Sequence, residues 1–254
     1  MILTDTHTHL YYEQDAEKRD ALMQRCFDNG ITRLFLPNVD IQSVSNINTL
    51  LHAYPHACFP MLGMHPCSVK GDWEAELNAI KKSDVGPIYA IGEIGIDLYW
   101  DKTNLPDQVK AFKQQIAWAK SVGLPIVIHC REAFNEVFEV LEEEKDELLR
   151  GIFHCFTGNA EQAQHAIDLG FYLGVGGVVT YKNGGLDKIL PQFDLSHIVL
   201  ETDSPYLSPV PHRGKPNESS YLIYVAQKLA EIYHTDVESV AEITTANSKK
   251  IFGV

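Results

Sequence analysis

Ile2-Leu3-Thr4-Asp5-Thr6-His7-Thr8-His9 begins on an apolar pair and ends on two histidines one residue apart. It reads as a first β-strand. Side chains alternate faces along an extended chain, so His7 and His9 point the same way if the extended geometry persists past Thr6. Two imidazoles aimed at one point make half of a metal site, while an H-x-H pair standing alone is just as well a surface accident. What else arrives at that point decides between the two.

Working outward, the chain keeps one beat. Residues 16–29 carry Ala21, Leu22, Cys26 and Phe27 at helical spacing and stop at Gly30. Residues 33–37 read as a strand, 41–53 as a helix, 58–65 as a strand and 73–82 as a helix. A fourth strand is expected over 88–93, running into the acidic turn Glu93-Ile94-Gly95-Ile96-Asp97. Over 106–122, Val109, Phe112, Ile116, Ala119 and Val122 recur at threes and fours, the mark of an amphipathic helix. Residues 125–129 form an apolar strand of the parallel-sheet kind. A helix is expected over 132–149, with the charge run 142–147 on a solvated face. Strands follow at 151–154, 171–174 and 197–201, with a helix at 159–169 capped by Asn159 and stopped by Gly170. Helices at 219–233 and 237–252 close the chain, the last behind a capping box of Thr235 and Glu238. Eight strand-like runs, nearly all separated by helical ones, predict a (β/α)₈ TIM barrel rather than an open doubly wound sheet.

Composition agrees with that reading and excludes others. With 254 residues, 45% of them hydrophobic, and no long polar linker, repeat or low-complexity tract, residues 1–254 are expected to form a single domain. The start lacks the basic region and apolar run of a signal peptide, and no apolar stretch would span a bilayer, so a soluble cytoplasmic protein is expected. Five cysteines without C-x-x-C spacing argue against a disulfide framework and a zinc-thiolate knot. A net charge of −13, from 21 basic and 34 acidic residues, disfavours wrapping of duplex nucleic acid through many phosphate contacts. It leaves room for a small phosphate-reading pocket in which divalent cations supply the positive charge.

The ligand-type residues gather where barrels keep their chemistry, at the C-terminal ends of strands. His7 and His9 end the first expected strand, Glu93 the fourth, His129 the fifth and His154 the sixth, and Asp203 follows the eighth. One histidine at such a place is usually a packed one. Of eleven histidines, however, His7, His9, His65, His129 and His154 all fall at expected strand ends, which chance serves poorly. Six imidazole and carboxylate ligands exceed the three or four that one catalytic metal takes. Two divalent cations (zinc, manganese, magnesium or similar) are the economical inference, with Glu93, central in barrel order, as the natural bridge.

Six segments then carry a likeness. Asp5-Thr6-His7-Thr8-His9, Gly63-Met64-His65-Pro66, Gly92-Glu93-Ile94-Gly95-Ile96-Asp97, His129-Cys130-Arg131-Glu132-Ala133, Phe153-His154-Cys155-Phe156-Thr157-Gly158 and Glu201-Thr202-Asp203-Ser204-Pro205 are similar to the successive signatures of the TatD-type metal-dependent deoxyribonucleases, which are amidohydrolase-like metal barrels. The resemblance runs in order to Asn217. It departs at Tyr11, where an acidic or amide residue is common, and at Ser219, where proline is usual. It implies one metal on His7, His9, Glu93 and Asp203 and another on Glu93, His129 and His154. It also implies hydrolysis of DNA phosphodiester bonds, often from a 3′ end, through a metal-bridging hydroxide. The chemistry of the residues agrees: a metal-activated water attacks phosphorus while a carboxylate, here assigned to Asp203, accepts its proton.

Around those ligands lie candidates for holding substrate. His65 is a catalytic candidate as a hydrogen-bond partner of a phosphate oxygen or of the leaving group, with loop packing as the alternative. Arg213 and Lys215, in the loop after the last strand, form an expected phosphate clamp, and Arg131 either joins it or pairs with a neighbouring acid. Tyr99 and Trp100 either stack a base or pack the rim. Glu201 shares the Asp203 face of its strand and is expected to support the ligands from behind. Gly174-Val175-Gly176-Gly177 lacks P-loop spacing and reads as close backbone packing. The leading reading is a metal-dependent deoxyribonuclease acting on single-stranded DNA or 3′ ends, with no membrane partner and the oligomeric state open, a monomer sufficing. Two alternatives remain: an ester, lactone or amide hydrolase on the same dinuclear site, and a barrel that binds without turnover.

Overall fold

Every strand of the sheet runs parallel to its neighbours, so each connection must carry the chain back along the outside. The computed structural model describes residues 1–254. The strands are β1 (Leu3–Asp5), β2 (Ile31–Pro37), β3 (Cys58–Met61), β4 (Ile91–Asp97), β5 (Ile126–Arg131), β6 (Gly151–Phe153), β7 (Phe171–Val175) and β8 (Ile198–Leu200). The helices are α1 (Ala16–Asp28), α2 (Ser43–Ala53), α3 (Trp73–Lys81), α4 (Leu105–Val122), α5 (Phe134–Glu143), α6 (Ala160–Asp168), α7 (Leu186–Ile189), α8 (Leu222–Tyr233) and α9 (Val237–Phe252). Strands β1 to β3 form one ladder and β4 to β8 another. Two seams close them into a barrel: Thr6 N donates to Leu200 O at 2.9 Å, and Gly92 N to Leu62 O at 3.0 Å. The expected (β/α)₈ barrel is the fold observed.

The side-chain period of two explains why one mouth is apolar and the other polar. Phe35, Met61, Val127, Ile152 and Val199, from β2, β3, β5, β6 and β8, pack together inside the barrel with Ile251 and Phe252 of α9. The Phe252 ring stacks on Phe35 with centroids 3.8 Å apart, which plugs that end. Two residues further along the same faces come His129 after Val127, His154 after Ile152 and Glu201 after Val199. Strand alternation thus places the polar side chains directly above the apolar plug. A second, larger apolar layer lies between the sheet and the helices, with Leu34, Ile47, Ile94, Phe112, Phe153 and Leu229 fully buried in it.

Some boundaries differ from the sequence reading for physical reasons. Strand β4 starts at Ile91 and runs through the supposed acidic turn to Asp97, because both of its carboxylates find a partner in His129 of β5. Gly95 allows this: its φ is +139°, and a methyl group there would collide with the carbonyl of His129 on β5. Helix α5 stops at Glu143, since Asp146 accepts from the backbone N–H of Leu148 and Leu149 at 2.9 and 3.0 Å and turns the chain. Helix α9 is capped by Asp236, which accepts from Ser239 N at 2.7 Å, rather than by Thr235. The box at Asn159 and Gln162 caps α6. No helix is long and apolar enough to cross a membrane.

The loop after β8 is tied to the barrel wall by α1. Nε and Nη2 of Arg25 donate to the two oxygens of Glu218 at 2.8 and 2.7 Å. Burial pushes the Glu218 carboxyl up, but Arg25 and the Ser220 hydroxyl more than offset it, so it titrates below the ordinary range. Arg25→Ala should therefore cost about 1 kcal/mol near neutral pH. Because the folded-state pKa lies below the unfolded value of about 4.3, that contribution is complete above this pH and is lost as pH falls through the folded-state value. Denaturant unfolding of wild type and variant should show the gap closing in acid, whereas a gap independent of pH would mean that the arginine acts by packing alone.

Candidate metal centre

Strand β1 ends at Asp5 and the chain bends at Thr6 and His7 rather than staying extended, yet Nε2 of His7 and Nε2 of His9 still lie 3.2 Å apart. Glu93 Oε2 is 3.2 Å from the first and 3.7 Å from the second, and Asp203 Oδ1 is 3.9 and 3.5 Å from them. The barrel seam brings Asp203 here, since its backbone N donates to His7 O at 2.9 Å. It holds a left-handed conformation with φ +54°, which aspartate tolerates better than most residues.

The other oxygen of Glu93 looks the opposite way. Oε1 is 2.7 Å from His129 Nδ1, 3.4 Å from His65 Nε2 and 3.7 Å from His154 Nε2. His65 and His129 approach each other at 3.2 Å. His154 stacks on His7 with ring centroids 3.4 Å apart, and its Nε2 faces Asp203 Oδ1 at 3.8 Å. All six ligand-type residues named from sequence therefore meet at one mouth, together with His65. The geometry groups His65 with Glu93 and His129, and sets His154 beside His7 and Glu201.

Behind this ring stands a row of buried supports. Asp97 Oδ2 lies 2.8 Å from His129 Nε2, while its Oδ1 accepts the backbone N–H of Tyr99 and Trp100. Glu201 Oε1 lies 2.9 Å from His154 Nδ1, an ion-pair distance without hydrogen-bond alignment, and accepts from Cys155 N at 2.6 Å. Asp5 accepts from the hydroxyl and backbone N–H of Thr202, locking β1 to the start of the β8 loop. Sequence reasoning gave Asp97 no role, although its place four residues after Glu93 puts both on one face of β4.

Electrostatics follow from this packing. Burial, reinforced by the neighbouring His154, drives the His7 pKa down to about 4, so its ring is neutral and has a lone pair to offer. Burial would raise the Glu93 carboxyl, but His65, His7 and His154 outweigh it and keep the group ionised. Burial likewise opposes a charge on His154, yet Glu201, Glu93 and Asp203 lift it to about 10. A proton there sits where a cation would, and the two compete for the same nitrogen. Burial pulls Asp5 up to about 7 against its hydrogen bonds.

The donor set fits metal. Imidazole nitrogens and carboxylate oxygens converge from opposite sides of Glu93, His7 Nδ1 and Glu201 Oε2 are buried without hydrogen-bond partners, and only Arg131 among lysines and arginines reaches the cavity. The cavity measures about 620 Å³, and His9, His65, Glu93, His129, His154 and Asp203 lie on its wall. The centre is built for two divalent cations. Arg131 rests over the Tyr99 ring at 3.8 Å, with Trp100 at 5.6 Å. Arg213 sits over Tyr181 at 4.1 Å, and neither it nor Lys215 lines the cavity.

A family model described as TatD related DNase matches residues 4–253. The chain belongs to the TatD family. It is 38% identical over 255 residues to the uncharacterized metal-dependent hydrolase YabD of Bacillus subtilis, covering all of both chains. It is 31% identical over 258 residues to a protein of Escherichia fergusonii named 3′-5′ ssDNA/RNA exonuclease TatD, covering 98% of each. The crystal structure of YjjV, a TatD homologue of Escherichia coli, superposes with a TM-score of 0.92 at 25% identity, covering 99% of this chain and 98% of that one. Like these TatD-family proteins, the chain is a metal-dependent hydrolase.

A cation that binds the folded site but not the unfolded chain should stabilise the fold by about 2.7 kcal/mol at a hundred times its dissociation constant. Thermal melts of chelator-treated protein should shift upward as manganese or zinc is added, with two ions per chain by elemental analysis. A midpoint indifferent to both cations would refute the centre.

Proposed function

We propose that this TatD-family chain removes nucleotides from the ends of single-stranded DNA, most simply from the 3′ end as the name of the Escherichia fergusonii relative states, and that it works in the cytoplasm with residues 1–254 as one hydrolase domain. The observation that carries this reading is a bridging-type carboxylate, Glu93, between two groups of imidazoles in a cavity whose rim presents a guanidinium and exposed aromatic rings. Its free cysteines suit a reducing compartment.

In this reading His7, His9, Glu93 and Asp203 would hold one cation, and Glu93, His129 and His154 the other. When bound, the pair would acidify a water and offset the charge of a phosphodiester. The residues of the chain do the rest. Asp203, its carboxylate held below the usual range by His9, His154 and His7 in spite of burial, receives the proton of the attacking water on Oδ1. His65 Nε2 reaches a phosphoryl oxygen or the departing oxygen, because its Nδ1 is already engaged by Cys67 N. Arg131, stacked on Tyr99 and free of any carboxylate within 4 Å, meets the next phosphate along the strand. Arg213 and Lys215, set outside the cavity, meet phosphates still further away.

Trp100, at 69% exposure, offers an indole face to a base, and Asp97 stiffens the turn that carries it. Tyr206 and Leu207, about half exposed, stand among the residues of the cavity wall from the β8 loop. A single strand threads between aromatic rims of this kind more readily than a stiff duplex does.

Metal-reconstituted protein should degrade end-labelled single-stranded DNA, with RNA and a panel of carboxyl esters run alongside. Asp203→Asn should lower kcat by about 10²- to 10⁴-fold. Cleavage of esters alone, or an Asp203→Asn protein that keeps both metals and full rate, would overturn the reading. Trp100→Ala should raise KM for oligonucleotides about 5- to 100-fold, the worth of one stacked base. Its kinetics on a substrate with an abasic terminus should stay near wild type, and an equal loss on both substrates would exclude stacking.

A further inference from the structure

The three histidines His9, His129 and His154 each present one ring nitrogen to the centre and have the other beside an oxygen atom. His129 leans on Asp97 and His154 on Glu201. His9 has no carboxylate behind it. Its Nδ1 lies 2.7 Å from the hydroxyl of Tyr11, and that hydroxyl lies 2.7 Å from the carbonyl oxygen of Pro37 at the end of β2. Tyr11 and His9 are both buried, at 1% and 3% exposure, so water does not enter the exchange.

Counting hydrogens settles the direction. A phenol has one hydrogen to give, and a carbonyl oxygen can only accept. Two oxygens do not approach to 2.7 Å without a hydrogen between them. The Tyr11 hydrogen therefore points at Pro37, and the hydroxyl can only accept from His9. We infer that Tyr11 is a positioning residue that sets the tautomer of His9, holding the hydrogen on Nδ1 and turning a bare Nε2 toward Glu93 and Asp203.

The ring is held in its other degrees of freedom too. Tyr12 stacks on its face with centroids 5.5 Å apart and planes 15° from parallel, and Tyr206 meets it edge-on at 6.2 Å. With its tautomer imposed, His9 offers a lone pair without first moving a proton. A support of this type is neutral, whereas Asp97 and Glu201 are anionic. It orients its histidine without adding negative charge to a cluster that already buries Glu93, Asp203 and Glu201.

The inference rests on the two-cation reading, but its first test does not require turnover. In metal-free wild-type protein labelled with ¹⁵N-histidine at about pH 8, long-range ¹H–¹⁵N spectra should show His9, assigned by its loss in His9→Gln, protonated on Nδ1 and bare on Nε2. A ring protonated on Nε2 would overturn the inference and leave the hydrolase reading standing. In Tyr11→Phe, which keeps the ring and removes the hydroxyl, chelator competition should show one of the two cations bound about 10- to 100-fold more weakly and the other unchanged. Unchanged affinity for both would equally refute a positioning role. Loss of nuclease activity in the wild type, with the tautomer as expected, would instead count against the substrate reading alone.

Discussion

Glu93 is a charge with nowhere else to go. Its side chain is 4% exposed, and an uncompensated carboxylate in such a place costs several kcal/mol. Five imidazoles come within 3.7 Å of its oxygens, from β5, from just beyond β1 and β6, and from the loop after β3, so the compensation is gathered from most of the barrel circumference. Alternation along the strands forces this. Two places below His129, His154 and Glu201 the side chain is apolar and packed, which leaves that part of the polar layer no room to sink and only one mouth at which to gather.

The barrel seam is the second requirement, because the site straddles it. His7 and His9 come from the beginning of the chain and Asp203 from beyond the last strand. What keeps them together is the Thr6–Leu200 hydrogen bond, the pairing of Thr8 with Ser204, and Asp5 holding Thr202. Asp5 sits at 0% exposure in a setting that lifts its pKa, so the fold accepts an unfavourable buried acid to fix the geometry of its neighbours. A buried polar group of this kind is worth more as a locator than as a source of stability.

The outline of the site was legible in sequence because the chemistry of ligands and the geometry of strands are both local. An H-x-H at the end of an apolar run, or a histidine directly after Ile126-Val127-Ile128, declares itself. The partners that hold those ligands were less so, since their role depends on which strand lies alongside. Asp97 looked like part of a turn until β4 proved to continue through it, and Tyr11 had no role until Pro37 of β2 was found beside it. Arg213 and Lys215 show the same limit from the other side. Tyr206 and Leu207 of their loop line the cavity, while the direction of a long side chain in a loop is set by what it packs on, for Arg213 the Tyr181 ring.

The acidic surface acquires a meaning in this light. A chain with net charge −13 repels a polyanion at a distance, and more strongly as ionic strength falls. Attraction must then be confined to the mouth, where cations held by neutral imidazoles and ionised carboxylates, with Arg131 beside them, reverse the sign over a few ångströms. Duplex DNA, whose high and evenly spaced charge requires contact with many phosphates at once, gains little from so small a positive spot. A flexible strand can feed one or two phosphates into the cavity, stack a base on the exposed Trp100, and keep the remainder of its charge in solvent. On the proposed function, selectivity for free single-stranded ends would need no lid or recognition helix: it would follow from a positive site of nucleotide size set in a negative surface.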